Sequence, residues 1–464
     1  MYLRLSQAIF FRLAIAVAAT ATTAVVATLA VPSLAWSQTR EQKVRQDKAK
    51  VEADGFWIYN NLAKGIDEAK ASGKPLLVVL RCIPCEECVK LDDELVDNDN
   101  QLRPLLERFV RVRIVSTNGL DLSLFQFDTD QSFAVFMLNA AGDIYGRYGT
   151  RSDQKEWAND VSIAGLGKAL EGALALHKAY PANRAELAGK RGAAPEFPVP
   201  EQLPTLRGKY GPKLDYEGNV VRSCIHCHQI GDAQRAHHLQ TQGSLPDSVL
   251  FPYPHPKAIG LVMDPQERAL VKRVEAGSPA ATAGFAAGDV ILRLAGQPLL
   301  SIADIQWVLH QVPANGGQLV ADVRRGSEAV KSSLTLDLPA GWRRRDDIAW
   351  RASSWELRRH ALGGLYLKPL EAEGRESLRI ADGKMALRAQ HVGEFAPHDR
   401  AKRAGFRKGD IVVAFDGRRD LLRETDLLAY ALELAKAGKQ VDVELLRDGQ
   451  PLRFKLPVGG ERAP

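Results

Sequence analysis

One stretch of this chain is written twice. Glu275 to Ile291 and Ala396 to Val412 share the frame Ala-Gly-Phe-x-x-Gly-Asp, as Ala283-Gly284-Phe285 with Gly288-Asp289 and as Ala404-Gly405-Phe406 with Gly409-Asp410. An apolar run follows each Gly-Asp, so the C-terminal half must hold two copies of one module. The other half needs cores of its own, because single cores rarely grow past about 250 residues and the chain has 464. A composition of 45% hydrophobic and 25% charged residues is that of a globular chain.

The N-terminus sets the compartment. Arg4 and Arg12 precede an Ala, Val, Leu and Thr run from Leu13 to Val31, and Ser33-Leu34-Ala35 supplies small residues for cleavage. This is the pattern of a secretory signal over residues 1–35. The mature chain is expected to start near Trp36 in the periplasm, an uncleaved anchor being the alternative. The formal charge of +6 includes two positives in the leader. Such a balance gives an exported protein no call to bind nucleic acid.

From Trp57 to His177 helical and strand periodicities alternate. Leu76-Leu77-Val78-Val79-Leu80 reads as a buried strand, Phe109 to Val115 as an alternating one, and Phe133–Leu138 with Ile144–Tyr148 as a hairpin around Asn139 to Asp143. Three cysteines, Cys82, Cys85 and Cys88, follow the buried strand at the entry to a helix. This order resembles the thioredoxin-like family over residues 50–178 and implies an α/β domain with thiol chemistry there. The resemblance favours Cys85 as the exposed thiol and Cys88 as its buried partner, with Cys82 available for a second Cys-x-x-Cys register. A helix N-terminus lowers the first thiol's pKa, while Glu86 and Glu87 oppose that. The family's proline before the facing strand is missing from Asp130-Gln131-Ser132-Phe133. A structural disulfide, a redox pair and a soft-metal site for Cu(I) all stay open.

Residues 179–222 carry Pro181, Pro195, Pro198, Pro200, Pro204 and Pro212 and are expected to be an extended linker. Next comes Cys224-Ile225-His226-Cys227-His228. Two thiols one turn apart with an imidazole after the second are what covalent haem c attachment requires. Cys224 and Cys227 would be the thioether anchors and His228 the proximal ligand, in a small haem segment over residues 223–256. His255, held between Pro254 and Pro256, is the first choice of distal ligand, before Met263, His237 and His238. Zinc is the alternative, held by Cys224, Cys227, one of His226 and His228, and one of His237 and His238.

The repeated modules resemble PDZ domains of the bacterial, protease-associated type, at residues 257–339 and 362–458. The resemblance implies two PDZ-like β-barrel or sandwich domains that bind protein C-termini by strand addition. Ile259, Gly260, Leu261 and Val262 would receive the peptide in the first, opposite Ile305 and Leu309. Gly364, Leu365, Tyr366 and Leu367 would do so in the second. The connector at residues 340–361 holds Trp342, Trp350 and Trp355 among many arginines. Its tryptophans are expected to pack modules together and its arginines to face water, a membrane-surface helix being the alternative.

A nucleophile motif of the Gly-Asn-Ser-Gly-Gly kind is missing, which argues against proteolysis. The sequence thus reads as a multidomain α/β and mainly-β exported protein. The expected function is haem-based electron transfer or thiol redox sensing toward an unidentified redox partner docked through the PDZ domains. A non-catalytic PDZ scaffold or chaperone with structural zinc is the alternative.

Overall fold

The computed structural model describes residues 39–81, 83, 102–131, 133–153, 159–326, 331–435 and 439–459. The first domain holds a five-stranded sheet in the order β1-β3-β2-β4-β5. These strands are β1 (Ile58–Tyr59), β2 (Leu76–Arg81), β3 (Val110–Ile114), β4 (Phe133–Leu138) and β5 (Ile144–Tyr148). β1, β3 and β2 run parallel, while β4 and β5 are antiparallel. The expected hairpin is present, and the Asn139 side chain closes it by accepting the Ala141 and Asp143 N–H groups, each at 2.9 Å.

Every residue of β2 and β4 is buried, because both faces of the sheet are covered. Side chains alternate between two cores. Leu77, Val79, Val135 and Met137 meet α3 (Ile163–Ala179) through Leu166, Leu170 and Ala173, along with Val51 of α1 (Arg40–Asp54). Leu76, Val78, Leu80 and Phe136 meet Ala69 of α2 (Leu62–Ser72) and, beyond it, Leu203, Leu206, Ile225 and Ile230. The second face is thus closed by the proline-rich segment and by α4 (Cys227–Gln242), the helix that begins inside the Cys-x-x-Cys-His motif.

Residues 179–222 are therefore not a free linker. Short helical turns at Arg184–Leu187 and Pro200–Gln202 punctuate the segment, and Lys190, Leu203 and Val220 are buried. It clamps the first domain to the next. Lys190 Nζ lies 2.9 Å from Asp304, Trp307 Nε1 donates to Gly189 O at 2.8 Å, and Leu122 N–H donates to Pro198 O at 2.8 Å.

The first repeat module contains β6 (Leu261–Met263) paired with β7 (Val271–Val274), and a four-stranded sheet in the order β11-β10-β8-β9. The latter strands are β8 (Val290–Leu294), β9 (Gln297–Pro298), β10 (Gly317–Arg324) and β11 (Lys331–Leu338). Its helix α5 (Ile302–Gln311) packs one side into the module's core and the other onto the β5 edge of the first sheet. The second module holds β12 (Leu365–Pro369), β13 (Leu387–Val392), β14 (Ile411–Phe415), β15 (Gln440–Arg447) and β16 (Gln450–Pro457), hydrogen-bonded in that order. Two helices, α6 (Ser354–Leu362) and α7 (Glu424–Ala435), complete it.

The repeated Gly-Asp has the same job in both copies. Asp289 pairs with Arg325 at 2.7 and 2.8 Å and accepts the Ala286 N–H, while Arg325 also donates to Gly284 O. Asp410 pairs with Arg447 at 2.7 and 2.8 Å and accepts the Arg407 N–H, while Arg447 also donates to Gly405 O. In each case a buried carboxylate fixes the turn that launches the following strand.

The connector departs from expectation. Trp342 is buried in the first repeat module's core, but Trp355 stays 42% exposed. The arginines do not all face water: Arg343, Arg351 and Arg358 are buried. Arg343 donates to the carbonyls of Phe251, His310 and Val312, closing the C-terminal end of α5. Among the described residues no helix is long and apolar enough to cross a membrane.

Candidate functional site

The repeat modules present their site at the loop before β6 and before β12. Gly260 sits at φ +86, and a Cβ there would lie 2.1 Å from Ser278, so the loop can close over Ser278 only with glycine. From that loop β6 runs with Leu261 and Met263 turned into the core and Val262 half-buried. One edge of β6 pairs with β7; the other has no strand beside it among the described residues. Ile259, Ile305 and Leu309 are fully buried core residues. They pack with Leu261 and Met263 inside the module's own core and so do not line an open groove, contrary to expectation; the Tyr253 segment meets α5 through Gln306 and His310. Gln306 donates to Tyr253 O at 3.0 Å, and the Tyr253 ring stacks on His310 at 3.9 Å.

In the second module Gly364 adopts φ +91, and a Cβ there would meet His398 O at 1.9 Å. Leu365 and Leu367 are core residues, and Tyr366 is half-buried on the outer face. The free edge of β12 is not open. Leu367 N–H donates to Glu424 Oε1 at 2.7 Å, and Arg358 of α6 pairs with the same carboxylate at 3.0 and 2.6 Å. Burial raises the Glu424 pKa, with Arg358 opposing.

The Cys-x-x-Cys-His motif lies against the first domain. Thr117 receives nothing from it but gives twice: its N–H and Oγ1 both donate to Ile225 O, at 3.1 and 2.8 Å. Asn118 Nδ2 donates to Ser223 O at 2.9 Å, and its Oδ1 accepts the Ile225 N–H at 2.8 Å. Cys224 is 6% exposed; burial pushes its thiol up to about 12, against a hydrogen bond with Ser116. His226 and His228 stack with ring centres 5.8 Å apart, and burial lowers the His228 pKa, helped by His226.

A cavity of about 430 Å³ opens near α4, lined by Phe125, Phe197, Ile230, His237, His238 and His310 among others, but not by Cys224, Cys227 or His228. Among the described residues no group of three or more His, Cys, Asp or Glu side chains is placed to hold a metal. His255 is spent elsewhere: its Nε2 lies 3.4 Å from Asp160 Oδ1, and its Nδ1 accepts the Lys257 N–H. Met263 is packed in the first repeat module's core, and His237 lies 3.3 Å from Glu196. Cys82, Cys85 and Cys88 lie outside the described residues.

Sequence reasoning missed two groupings. Ser152, Asp160, His255 and Lys257 meet where the first domain touches the first repeat module, with Ser152 Oγ 2.7 Å from Asp160 and Lys257 Nζ 2.6 Å from Ser152. Asp160 stands between the serine and the histidine. Burial would raise its pKa, but His255 and Lys257 bring it down to about 2. The weakly basic carboxylate, not the imidazole, therefore faces the hydroxyl, which is not the order of a nucleophilic triad. The second grouping is acidic: Asp128 and Asp130, beside the position where thioredoxin-like chains carry proline, hold Arg351, Ser353 and Arg235 in a buried network.

Comparison with known proteins agrees with the fold. A Thioredoxin-like family model matches residues 57–140, and PDZ domain models match residues 270–316 and 387–458. The chain therefore carries a thioredoxin-like domain and two PDZ domains. A "Probable periplasmic serine endoprotease DegP-like" of Marinomonas sp. (strain MWYL1) is 26% identical over 199 residues, covering 42% of this chain and 38% of that relative. Its counterpart in Pseudomonas putida (strain GB-1) is 27% identical over 198 residues, covering 42% and 39%. The chain thus spans about two fifths of the length of the curated relatives it matches. The solved structure "HtrA-type protease AlgW with decapeptide" aligns over 31% of this chain and 42% of that one, at 18% identity and a TM-score of 0.18.

Periplasmic placement, read from the leader, is borne out by these relatives. Two functional expectations are overturned by the same finding. Relatives named as serine endoproteases point away from a haem redox protein or inert zinc scaffold, and away from the exclusion of proteolysis.

Proposed function

We propose that this chain captures extended polypeptide in the periplasm for proteolysis, through PDZ-mediated strand addition. The observation that carries the reading is the edge of β6 that no strand pairs among the described residues, starting at the Gly260 turn of a PDZ domain. An extended segment laid there exchanges backbone hydrogen bonds with β6, and the main chain supplies affinity with little demand on sequence. The DegP-like names of the relatives support proteolysis as the context.

The test uses the full chain and fluorescein-labelled casein, an unfolded polypeptide. Saturable binding by fluorescence anisotropy is expected. Hydrolysis that a fluorophosphonate probe abolishes would assign the cleavage to this chain, whereas binding without hydrolysis would assign it to a partner. Lack of binding overturns the reading.

The cofactor is a separate proposal: haem c at Cys224, Cys227 and His228, with zinc as the alternative. Residue type and spacing support it; either group requires the Cys224 thiol to leave Ser116.

A further inference from the structure

The two PDZ domains differ in one respect that their shared sequence frame hides. Neither β6 nor β12 has a strand on its outer edge among the described residues, and in the first module no side chain bonds the β6 backbone there among those residues. In the second, helix α6 lies where an added strand would go. Leu357, Ala361 and Leu362 of α6 share one core with Leu365 and Leu367 of β12 and with Leu427, Leu428 and Ala431 of α7. The Arg358 guanidinium stands 4.4 Å over the Tyr366 ring and 4.8 Å over that of Trp355. Its bond to Glu424 places that carboxylate on the Leu367 N–H, a donor that an incoming peptide carbonyl would need.

Resting on the peptide-capture reading above, we propose that the two PDZ domains are unequal: the first takes the extended polypeptide on β6, while the second is filled by the chain's own α6. Two observations of different kinds carry this. The backbone donor at the β12 edge is satisfied internally, and the space between β12 and α7 is packed with apolar side chains of α6. A ligand at the second domain would have to replace both at once. The ion pair adds a barrier, because removing Arg358 alone leaves a buried Glu424 without its cation. The partner that fits the first domain is a single extended segment bound mainly through its backbone.

The experiment titrates the full chain with decapeptides that carry an apolar C-terminal residue, a free carboxylate and an internal benzoylphenylalanine for photo-crosslinking. One peptide per wild-type chain is expected, with crosslinks at residues 259–263 and none at 364–368. Hydrogen exchange provides a readout independent of any variant: the Leu367 amide should be protected as strongly as that of Leu445 in central β15.

The double variant Arg358→Met with Glu424→Leu removes both charges and the acceptor on the Leu367 N–H together and should raise Leu367 exchange at least tenfold. A second crosslinking site at 364–368 should then appear. Two peptides per wild-type chain, or a Leu367 amide that exchanges like an exposed one, would overturn the closed second domain while leaving peptide capture intact. A variant with Leu367 exposed and still one peptide bound would overturn α6 as the reason for closure. Failure of any peptide to bind wild type or variant would remove the capture reading itself.

Discussion

Arg351 Nη1 lies 2.6 and 2.7 Å from the two carboxylate oxygens of Asp128, across 223 positions of sequence, with both side chains 1% exposed. The arginine comes from the connector before the second PDZ domain and the aspartate from the thioredoxin-like domain, so this pair fastens the connector to that domain. Asp130 and the carbonyl of Pro252 take further arginine hydrogens. Breaking such a pair from one side leaves an uncompensated buried charge, at a cost of about 3–5 kcal/mol. Arg351→Met should therefore lower the urea midpoint sharply and split unfolding into more than one transition. Arg351→Met combined with Asp128→Leu should recover part of the loss. Equal losses in single and double variants would show that the pair does not couple the domains.

His310 supplies a pH dependence with a definite sign. Its ring is stacked on Tyr253 and its Nδ1 accepts the Tyr253 N–H at 3.3 Å. Burial, with Arg343, Arg147 and Arg351 nearby, lowers its pKa to about 3. Other charged groups close to this corner are Asp346 and Asp128. Unfolded histidine titrates near 6.5, so below that pH the unfolded chain binds a proton that the folded chain refuses. This contribution is complete above pH 6.5 and is lost as pH falls toward 3, at about 1.4 kcal/mol per pH unit. His310→Asn keeps an acceptor for the Tyr253 N–H without the titration. The melting temperature of the wild type should fall faster than that of the variant between pH 6.5 and pH 4.5; parallel curves would refute the assignment.

What the sequence disclosed follows from how far each signal reaches along the chain. Leu76 to Leu80 is legible as a buried strand because both faces are covered and every position is apolar. The PDZ frame is legible because Asp289 and Asp410 cap turns only three residues back. Arg351 and Arg358 are not legible, since a run of arginines reads as a wetted surface and their acids, Asp128 and Glu424, are remote in sequence. The proline-rich segment misleads for the reverse reason: Leu203, Leu206 and Val220 are too sparse to form a period, yet each finds a buried place on the first domain. Ile305 and Leu309 stand where the family resemblance puts groove walls on α5, but the same positions serve the core. His255 had the stiff setting of a ligand and proves to be held by Asp160.

Cys224 makes a prediction about reactivity. Its thiol is buried, and burial raises its pKa to about 12. At pH 8 the thiolate is then rarer by about three orders of magnitude than in a free cysteine of pKa about 8.5. Iodoacetamide should label Cys224 at least a hundredfold more slowly in native protein than in guanidinium. A protein that resists labelling after unfolding, with an intact mass raised by one haem, would instead carry the covalent group. Rapid labelling of the native thiol would contradict the buried arrangement.

Gly260 tests the β6 edge with the smallest change. At φ +86 an alanine is strained, and its Cβ would fall 2.1 Å from Ser278 Cβ and Oγ. Ser278 cannot retreat freely: it is 1% exposed, and its Oγ caps the Pro279–Thr282 turn by accepting the Ala281 N–H at 3.1 Å. The loop itself must move, at about 1–3 kcal/mol. Gly260→Ala should weaken casein binding more than tenfold while lowering the melting temperature only modestly. The equivalent change Gly364→Ala meets the His398 carbonyl at 1.9 Å and should destabilise the second domain comparably. If α6 fills that domain's groove, Gly364→Ala should leave casein affinity within about twofold of wild type, since the edge it would distort binds no polypeptide. Equal losses of affinity in the two variants would mean that both loops serve the ligand.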